Sequence, residues 1–360
     1  MPSPRPTQKQ TAPTTAPAAL FTPLDPQLLT VREGLMDFVH RKLKPPDLQD
    51  CAPQGTEVTD TDPRMIYHGE LIPVSTPDVA QGLKDARRTL RTNRFRPSGK
   101  RMSMIIDGCA GKTVLLLQIA RAYQGILETE RKPDDEWTPV VYINVPPRHE
   151  HNLDWSLPFA DFFSMDHTIN LDKRTYRSTD MTEPVVHAMR ESRTSLILID
   201  GIDRIHDNDL TAAFDYFDCL QARLRVSIIY CGRGATDIVN EGLHNRRRGG
   251  HPRTSEQFRS ALPVMRIRPI PFGKGQEEGF RSVLMRYDEN LRLYNHVPGA
   301  GKLLEFEEEL HERTGGYMDT LDQLLCQTAQ QAIEDGVEAI TKELLDDMLV
   351  GRNDPDDDWA

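Results

Sequence analysis

Four short, mostly apolar runs set the frame of this chain. Residues 102–107 (Met-Ser-Met-Ile-Ile-Asp), 140–145 (Val-Val-Tyr-Ile-Asn-Val), 195–200 (Ser-Leu-Ile-Leu-Ile-Asp) and 226–231 (Val-Ser-Ile-Ile-Tyr-Cys) are each strand-sized and rich in β-branched side chains. Runs that are apolar on both faces predict strands buried from two sides. Between them the apolar positions change to a helical period: residues 113–127, 183–190 and 210–224 read as amphipathic helices. Strand and helix in alternation predict an α/β core with a parallel sheet covered on both faces.

The flanks differ. Residues 1–28 are rich in Pro, Thr, Ala and Gln without apolar periodicity, a composition that predicts a disordered tail. Leu29, Val31, Leu35, Phe38 and Val39 predict a short helix over 29–40, the start of an N-terminal arm (29–75) that continues through a Pro-rich loop and a strand-like run at 66–74. Thr76-Pro77-Asp78 has the form of a helix start, with Thr76 as cap and Pro77 in the first turn. After Pro269-Ile-Pro271 strand signals cease. Residues 272–350 predict a helical lid subdomain, broken at Thr314-Gly-Gly316 and Asp335-Gly336, and 351–360 an acidic tail. The core proper is 76–271.

Charge sharpens the division. The chain of 360 residues carries a formal net charge of −11, yet from Gly301 onward there are 17 acids against 4 bases, which leaves residues 1–300 with 38 acids and 40 bases. The body is thus near neutral, and it holds two basic clusters: Lys84, Arg87, Arg88, Arg91, Arg94, Arg96, Lys100 and Arg101, then His244, Arg246, Arg247, Arg248, Arg253 and Arg259. Such clusters are either solvated faces or the footprint of contact with a phosphate backbone; Arg259 could also act on a neighbouring subunit's nucleotide. Five scattered cysteines without C-x-x-C spacing fit neither a disulfide framework nor a zinc site. Nothing in the chain approaches the run of ~18 apolar residues of a membrane helix, and the first residues have no signal-peptide pattern. A cytoplasmic protein with no membrane partner is expected.

The candidate chemistry lies in the loops after the strands. Met104-Ile-Ile-Asp-Gly108-Cys-Ala-Gly111-Lys112-Thr113 has the strand, glycine turn and helix of a phosphate-binding loop. In that device backbone N–H groups hold phosphate oxygens, the lysine reaches the β/γ-phosphates and the hydroxyl ligates Mg2+. Gly108, Cys109, Ala110, Gly111, Lys112 and Thr113 are therefore the expected ATP-binding residues. The loop is two residues shorter than G-x-x-x-x-G-K-[ST], with Ile106 where the first glycine would fall. Asp200 closes the apolar strand Leu196–Asp200 and is the expected Mg2+ acid together with Thr113. The following position, where many ATPases carry a water-orienting Glu, is Gly201; Asp203 is the candidate substitute. Arg233, between Gly232 and Gly234, is placed either to touch a γ-phosphate or to lie solvated in a turn.

In this order the segments resemble the TniB-type NTP-binding proteins, AAA+ P-loop relatives that accompany transposases. The resemblance runs over about 63–350. It rests on Ile66-Tyr-His-Gly-Glu-Leu-Ile-Pro-Val-Ser-Thr-Pro77, Val141-Tyr-Ile-Asn-Val-Pro-Pro147, the strand ending in Asp200, Tyr230-Cys-Gly232 and Leu310-His-Glu-Arg-Thr-Gly-Gly316. It implies ATP and Mg2+ as cofactors, Lys112 and Thr113 as their ligands, Asp200 as the Walker B acid, and a homo-oligomer assembling on DNA to recruit a transposase. The Asp200-Gly-Ile-Asp203 end and Arg233 look more like the STAND branch of the same superclass, which implies a signalling or defence switch. A non-enzymatic adaptor that keeps the fold without the nucleotide is the remaining alternative, and the shortened loop and Gly201 imply slow or absent hydrolysis.

Overall fold

The structure is a computed structural model that describes residues 28–41, 44–48, 54–55, 58–59, 62–69, 71–96, 101–109, 111–129, 137–146, 154–165, 180–245 and 262–349. Residues 1–27 of the expected N-terminal tail, the acidic tail, Lys100, Ala110 and the arginines of the second basic cluster fall outside them. Among the described residues there are five strands, β1 (Met104–Gly108), β2 (Val140–Asn144), β3 (Leu196–Asp200), β4 (Ser227–Gly232) and β5 (Val264–Ile267), all parallel, in the order β2-β3-β4-β1-β5. The α/β class and the parallel sheet are those the apolar runs predict. Every residue of β3 and β4 is buried, which is why these strands read as unbroken apolar runs.

Twelve α-helices are described: α1 (Arg32–His40), α2 (Pro63–Gly69), α3 (Pro77–Arg94), α4 (Lys112–Glu128), α5 (Leu157–Phe162), α6 (Thr182–Glu191), α7 (Leu210–Leu224), α8 (Ala235–Asn245), α9 (Glu277–Asn290), α10 (Glu307–Thr314), α11 (Met318–Glu334) and α12 (Lys342–Asp347). One face of the sheet takes α4, with α3 and α1 against it. The other takes α7 and α8, where Phe214 and Phe217 pack at a tilt against Tyr230 of β4. Burial divides into two apolar clusters. The larger holds the sheet, its helices and Leu35, Phe38 and Val39 of α1. The smaller is helical: α9, α10, α11 and α12, together with Tyr67 of α2 and the following Leu71 and Val74.

Three local outcomes depart from the sequence pattern. The strand-like run at 66–74 begins instead as helix α2. Asp62 accepts the Arg64 N–H at 2.8 Å and Pro63 opens the first turn, so a capped start overrides the β-branched content. Strand β5 has no counterpart in the predicted elements: it is a four-residue edge strand with Val264 and Arg266 exposed and only Met265 and Ile267 buried. Helices α5 and α8 are likewise additional; α8 owes its start to a residue remote in sequence, described below. The cap at Thr76 is as predicted, with its hydroxyl accepting the Val79 N–H at 3.2 Å, and the Gly-Gly and Asp-Gly breaks terminate α10 and α11.

Candidate functional site

The carboxyl ends of β1, β3 and β4 are adjacent in the sheet, and so are the residues that the motifs singled out. This is the edge of an open parallel sheet where ligands bind.

β1 ends at Gly108, whose φ of 138° and position leave no room for a side chain. A Cβ there would stand 1.9 Å from the carbonyl oxygen of Ile267 in β5. The next residue uses that oxygen, Cys109 donating its N–H to it at 3.1 Å. The chain then turns through Gly111, left-handed at φ 90°, which is the N-cap of α4. Lys112 and Thr113 thus occupy the first turn of a 17-residue helix, where unpaired N–H groups and the helix dipole favour an anion. The ammonium of Lys112 is folded back on the loop, donating to the carbonyl oxygens of Gly108 (2.8 Å) and Cys109.

Thr113 reaches across to β3 and donates its hydroxyl to Asp200 Oδ2 at 2.8 Å. Residues 87 apart in sequence therefore form one cluster. Its third member is Tyr142 of β2, which donates its phenol to the same oxygen at 3.0 Å, while Asp200 Oδ1 accepts the Gly201 N–H at 3.0 Å. Burial, reinforced by the neighbouring Asp200 charge, pushes the Tyr142 phenol well above its usual pKa, so it remains a donor at any physiological pH. Cys231, level with Asp200 on β4, is raised in the same way by burial and by that carboxylate, and stays a thiol. A hydroxyl and a carboxylate 2.8 Å apart at a helix N-terminus are the hard oxygen donors that suit Mg2+. Among the described residues no group of three or more His, Cys, Asp or Glu side chains is arranged as a protein-only metal site. A cation here would share its ligation with phosphate and water.

Asp203 lies in the 3-10 turn Ile202–Arg204 that follows Gly201, and its Oδ1 accepts the backbone N–H of Arg233 at 3.1 Å. The two candidate catalytic residues are thus brought together at the tip of β4. Arg233 is exposed there. Arg204 holds the adjacent tip of β2, donating to Asn144 Oδ1 and the Val145 carbonyl, both at 3.0 Å.

Two participants were not evident in the sequence. Tyr142 sits in a strand whose apolar run gives no hint that its ring ends on Asp200. Asp107, one residue before the loop, accepts from the N–H groups of Ala235 (3.2 Å) and Thr236 (3.0 Å) and so caps α8 from another strand. It ties the phosphate-loop entry to the helix after Arg233. An acid directly ahead of the loop glycine is the one signal that marked it.

Beside the loop, Gly111 packs near Val79 of α3 and Ile267 of β5, and beyond these lies a cleft of about 600 Å³ between the start of α3, the end of β5 and the start of α9. Thr76, Asp78, Arg268, Ile270, Gln276 and Gly279 line it. Arg268 is fixed at its mouth by Asp78, whose Oδ2 accepts from Arg268 N (3.1 Å) and Nε (3.3 Å). Of the first basic cluster, Arg87, Arg88 and Arg91 stand exposed on α3, away from the loop; the second cluster's arginines, including Arg259, lie outside the described residues.

No protein-family model matches the chain, and no curated protein matches it. Solved structures do. The chain superposes on the ORC2 protein of Aeropyrum pernix, determined as ADPNP-ADP complexes, with a TM-score of 0.53 at 13% identity over 79% of this chain and 71% of that one. It superposes on the ORC1 protein of Aeropyrum pernix, determined in complex with DNA, with a TM-score of 0.51 at 14% identity over 78% of this chain and 65% of that one. At such identity the likeness is one of fold: a parallel five-stranded sheet in the order β2-β3-β4-β1-β5, covered by helices.

Proposed function

We propose that this chain is an ATP-binding AAA+-type protein acting as an ATP-dependent assembly factor of the TniB kind, a regulator of transposition. The observation that carries the nucleotide reading is the 2.8 Å contact between Thr113 and Asp200 beside the first turn of α4. A hydroxyl and a carboxylate in contact, with Lys112 in the same first turn of α4, support a site for a triphosphate and its cation. Mg2+ bound there would neutralise phosphate charge. The residues do the rest: Lys112 leaves the carbonyl oxygens of its own loop for the phosphates, Tyr142 and Gly201 N–H fix the Asp200 carboxylate, and the cleft lined by Ile270 and Thr76 takes the nucleoside.

Hydrolysis is expected to be slow or absent. Gly201 supplies no base, and Asp203 is engaged with the Arg233 backbone. The DNA shown with the ORC1 structure belongs to that protein; for this chain, DNA, a homo-oligomer and a transposase are proposed partners, carried by the resemblance of the ordered segments to TniB-type proteins. Isothermal titration with ATP and Mg2+ tests the core of the reading. Saturable binding is expected, and no binding at millimolar nucleotide by folded protein would refute it. Sedimentation of the chain with duplex DNA, with and without ATP analogue, then tests assembly.

A second reading is favoured by one observation. Lys112 satisfies its ammonium on Gly108 and Cys109 of a loop two residues short, the arrangement expected of a fold that has given up its ligand and serves as an adaptor. Thermal stability of wild type and Lys112→Ala, each with and without MgATP, separates the two. A nucleotide-dependent rise lost in the variant supports ATP binding; no rise in either supports the adaptor.

A further inference from the structure

Four arginines of the first basic cluster, Arg87, Arg88, Arg91 and Arg94, rim a groove of about 460 Å³ between the second half of α3 and α4, on the outside of the sheet's helical layer. Arg87, Arg88 and Arg91 stand exposed along the rim, with Arg94 beside them. The floor is apolar: Leu90, Ile119 and Ile126 line it, and Phe95 closes one end with 76% of its surface exposed. Phe95 and Ile126 are two of the few large apolar side chains left in solvent among the described residues. A solvated basic face has no use for such a floor. A groove with cationic rims, an apolar base and an exposed aromatic end fits a short acidic segment that carries its own aromatic anchor.

This chain contains such a segment. Residues 354–359 read Asp-Pro-Asp-Asp-Asp-Trp, four carboxylates followed at once by an indole. They equal the four groove arginines in number and are opposite in sign, and Trp359 supplies an aromatic partner for Phe95. The chain's other acidic run is already committed within the helical cluster. Glu307 is paired with Arg281, Glu309 with Lys342 at 2.8 Å, and Glu305 with Lys302. Leu349, the last described residue, is 90% exposed, and ten residues from there to Trp359 span up to about 35 Å when extended. We propose that the α3–α4 groove is the docking site of the chain's own acidic segment, residues 354–359, with the aspartates on Arg87, Arg88 and Arg91 and Trp359 against Phe95. The proposal does not depend on nucleotide binding.

The test uses the full chain with p-benzoylphenylalanine in place of Trp359, irradiated and mapped by peptide mass. Cross-links are expected in the peptides spanning 87–126. They should fall roughly tenfold in Arg87→Glu/Arg91→Glu and again at high salt, because exposed ion pairs are screened. Both positions are exposed, and circular dichroism verifies that the variant is folded. Phe95→Ser should reduce the yield without any change of charge. Electrophoresis reads whether the link lies within one chain or between two copies, and either supports the assignment. Cross-links that map elsewhere, or a yield indifferent to the double reversal, overturn it. If a short oligothymidylate binds the wild type, loses roughly tenfold affinity on the same reversal, and the segment cross-links elsewhere, the groove belongs to nucleic acid and the proposal fails.

Discussion

Lowering the pH from neutrality to 4 should remove about 3 kcal/mol of stability through a single side chain, His68. The ring is fully buried in α2. Its Nδ1–H donates to the Arg64 carbonyl at 2.8 Å, and its Nε2 lone pair accepts the Arg292 N–H at 3.1 Å. Protonation would set a second N–H against that backbone donor in a fully buried site and beside two arginine charges. Burial first, then the Arg64 and Arg292 charges, lower its pKa to about 4 from 6.5. Above pH 6.5 the imidazole is neutral in folded and unfolded chains alike, and this contribution is fully present. Between 6.5 and 4 the unfolded chain takes up a proton that the folded chain refuses, so stability falls with pH, by up to about 1.4 kcal/mol per unit. Below 4 both forms are protonated and the loss levels off. A shift of 2.5 units is worth about 3 kcal/mol at 1.36 kcal/mol per unit. Urea unfolding of wild type and His68→Gln at pH 7.5 to 4 isolates the effect, because the carboxylates titrate in both proteins and only the difference between the curves belongs to His68. A difference that is flat from 6.5 to 4.5, or a His68 Cε1 resonance titrating near 6.5 in the folded protein, would refute the reasoning.

Three further outcomes are expected. Arg64→Met should cost about 3–5 kcal/mol in denaturant unfolding, since it strands the buried carboxylates of Asp62 (3.0 Å) and Glu338 (2.7 Å) that Arg64 now holds. Gly108→Ala should lose about 3 kcal/mol or more, because its Cβ meets the Ile267 carbonyl at 1.9 Å and forces β1 from β5; a thermal midpoint unchanged from wild type would contradict this. Thr113→Ala and Asp200→Asn should each remove most of the stabilisation by MgATP, which for a ligand at 100 times its Kd is about 2.7 kcal/mol by thermal shift.

The sheet was legible because its central strands are buried on both faces and therefore announce themselves as apolar runs. β5 was not, since an edge strand with Val264 and Arg266 outward carries too short and too mixed a pattern. The site follows the same rule. Lys112, Thr113 and Asp200 are candidates by position, as each stands where a strand meets a loop or helix. Tyr142 and Asp107 act through partners on other strands, Asp200 and the start of α8, and a pairing made by the fold leaves no local mark on the sequence.

In a full-length loop extra backbone N–H groups share the phosphate with the lysine. Here the chain goes from Gly108, pinned to Ile267 by a contact that admits no Cβ, to Gly111 in three steps. The loop cannot widen by moving Gly108 without breaking the β1–β5 ladder at Cys109. In the proposed site the Lys112 side chain would trade the Gly108 and Cys109 carbonyl oxygens for phosphate oxygens. Its share of the affinity would be the gain of a charged oxygen over a carbonyl for one ammonium group, beside what the N–H groups of the first turn of α4 contribute. Lys112→Arg should therefore bind nucleotide more weakly than wild type, despite its retained charge, because a planar guanidinium fork does not reproduce the hydrogen bonds of a compact ammonium. Titration calorimetry on the variant measures it, and equal affinity would show that the loop's N–H groups, rather than the lysine, hold the phosphate.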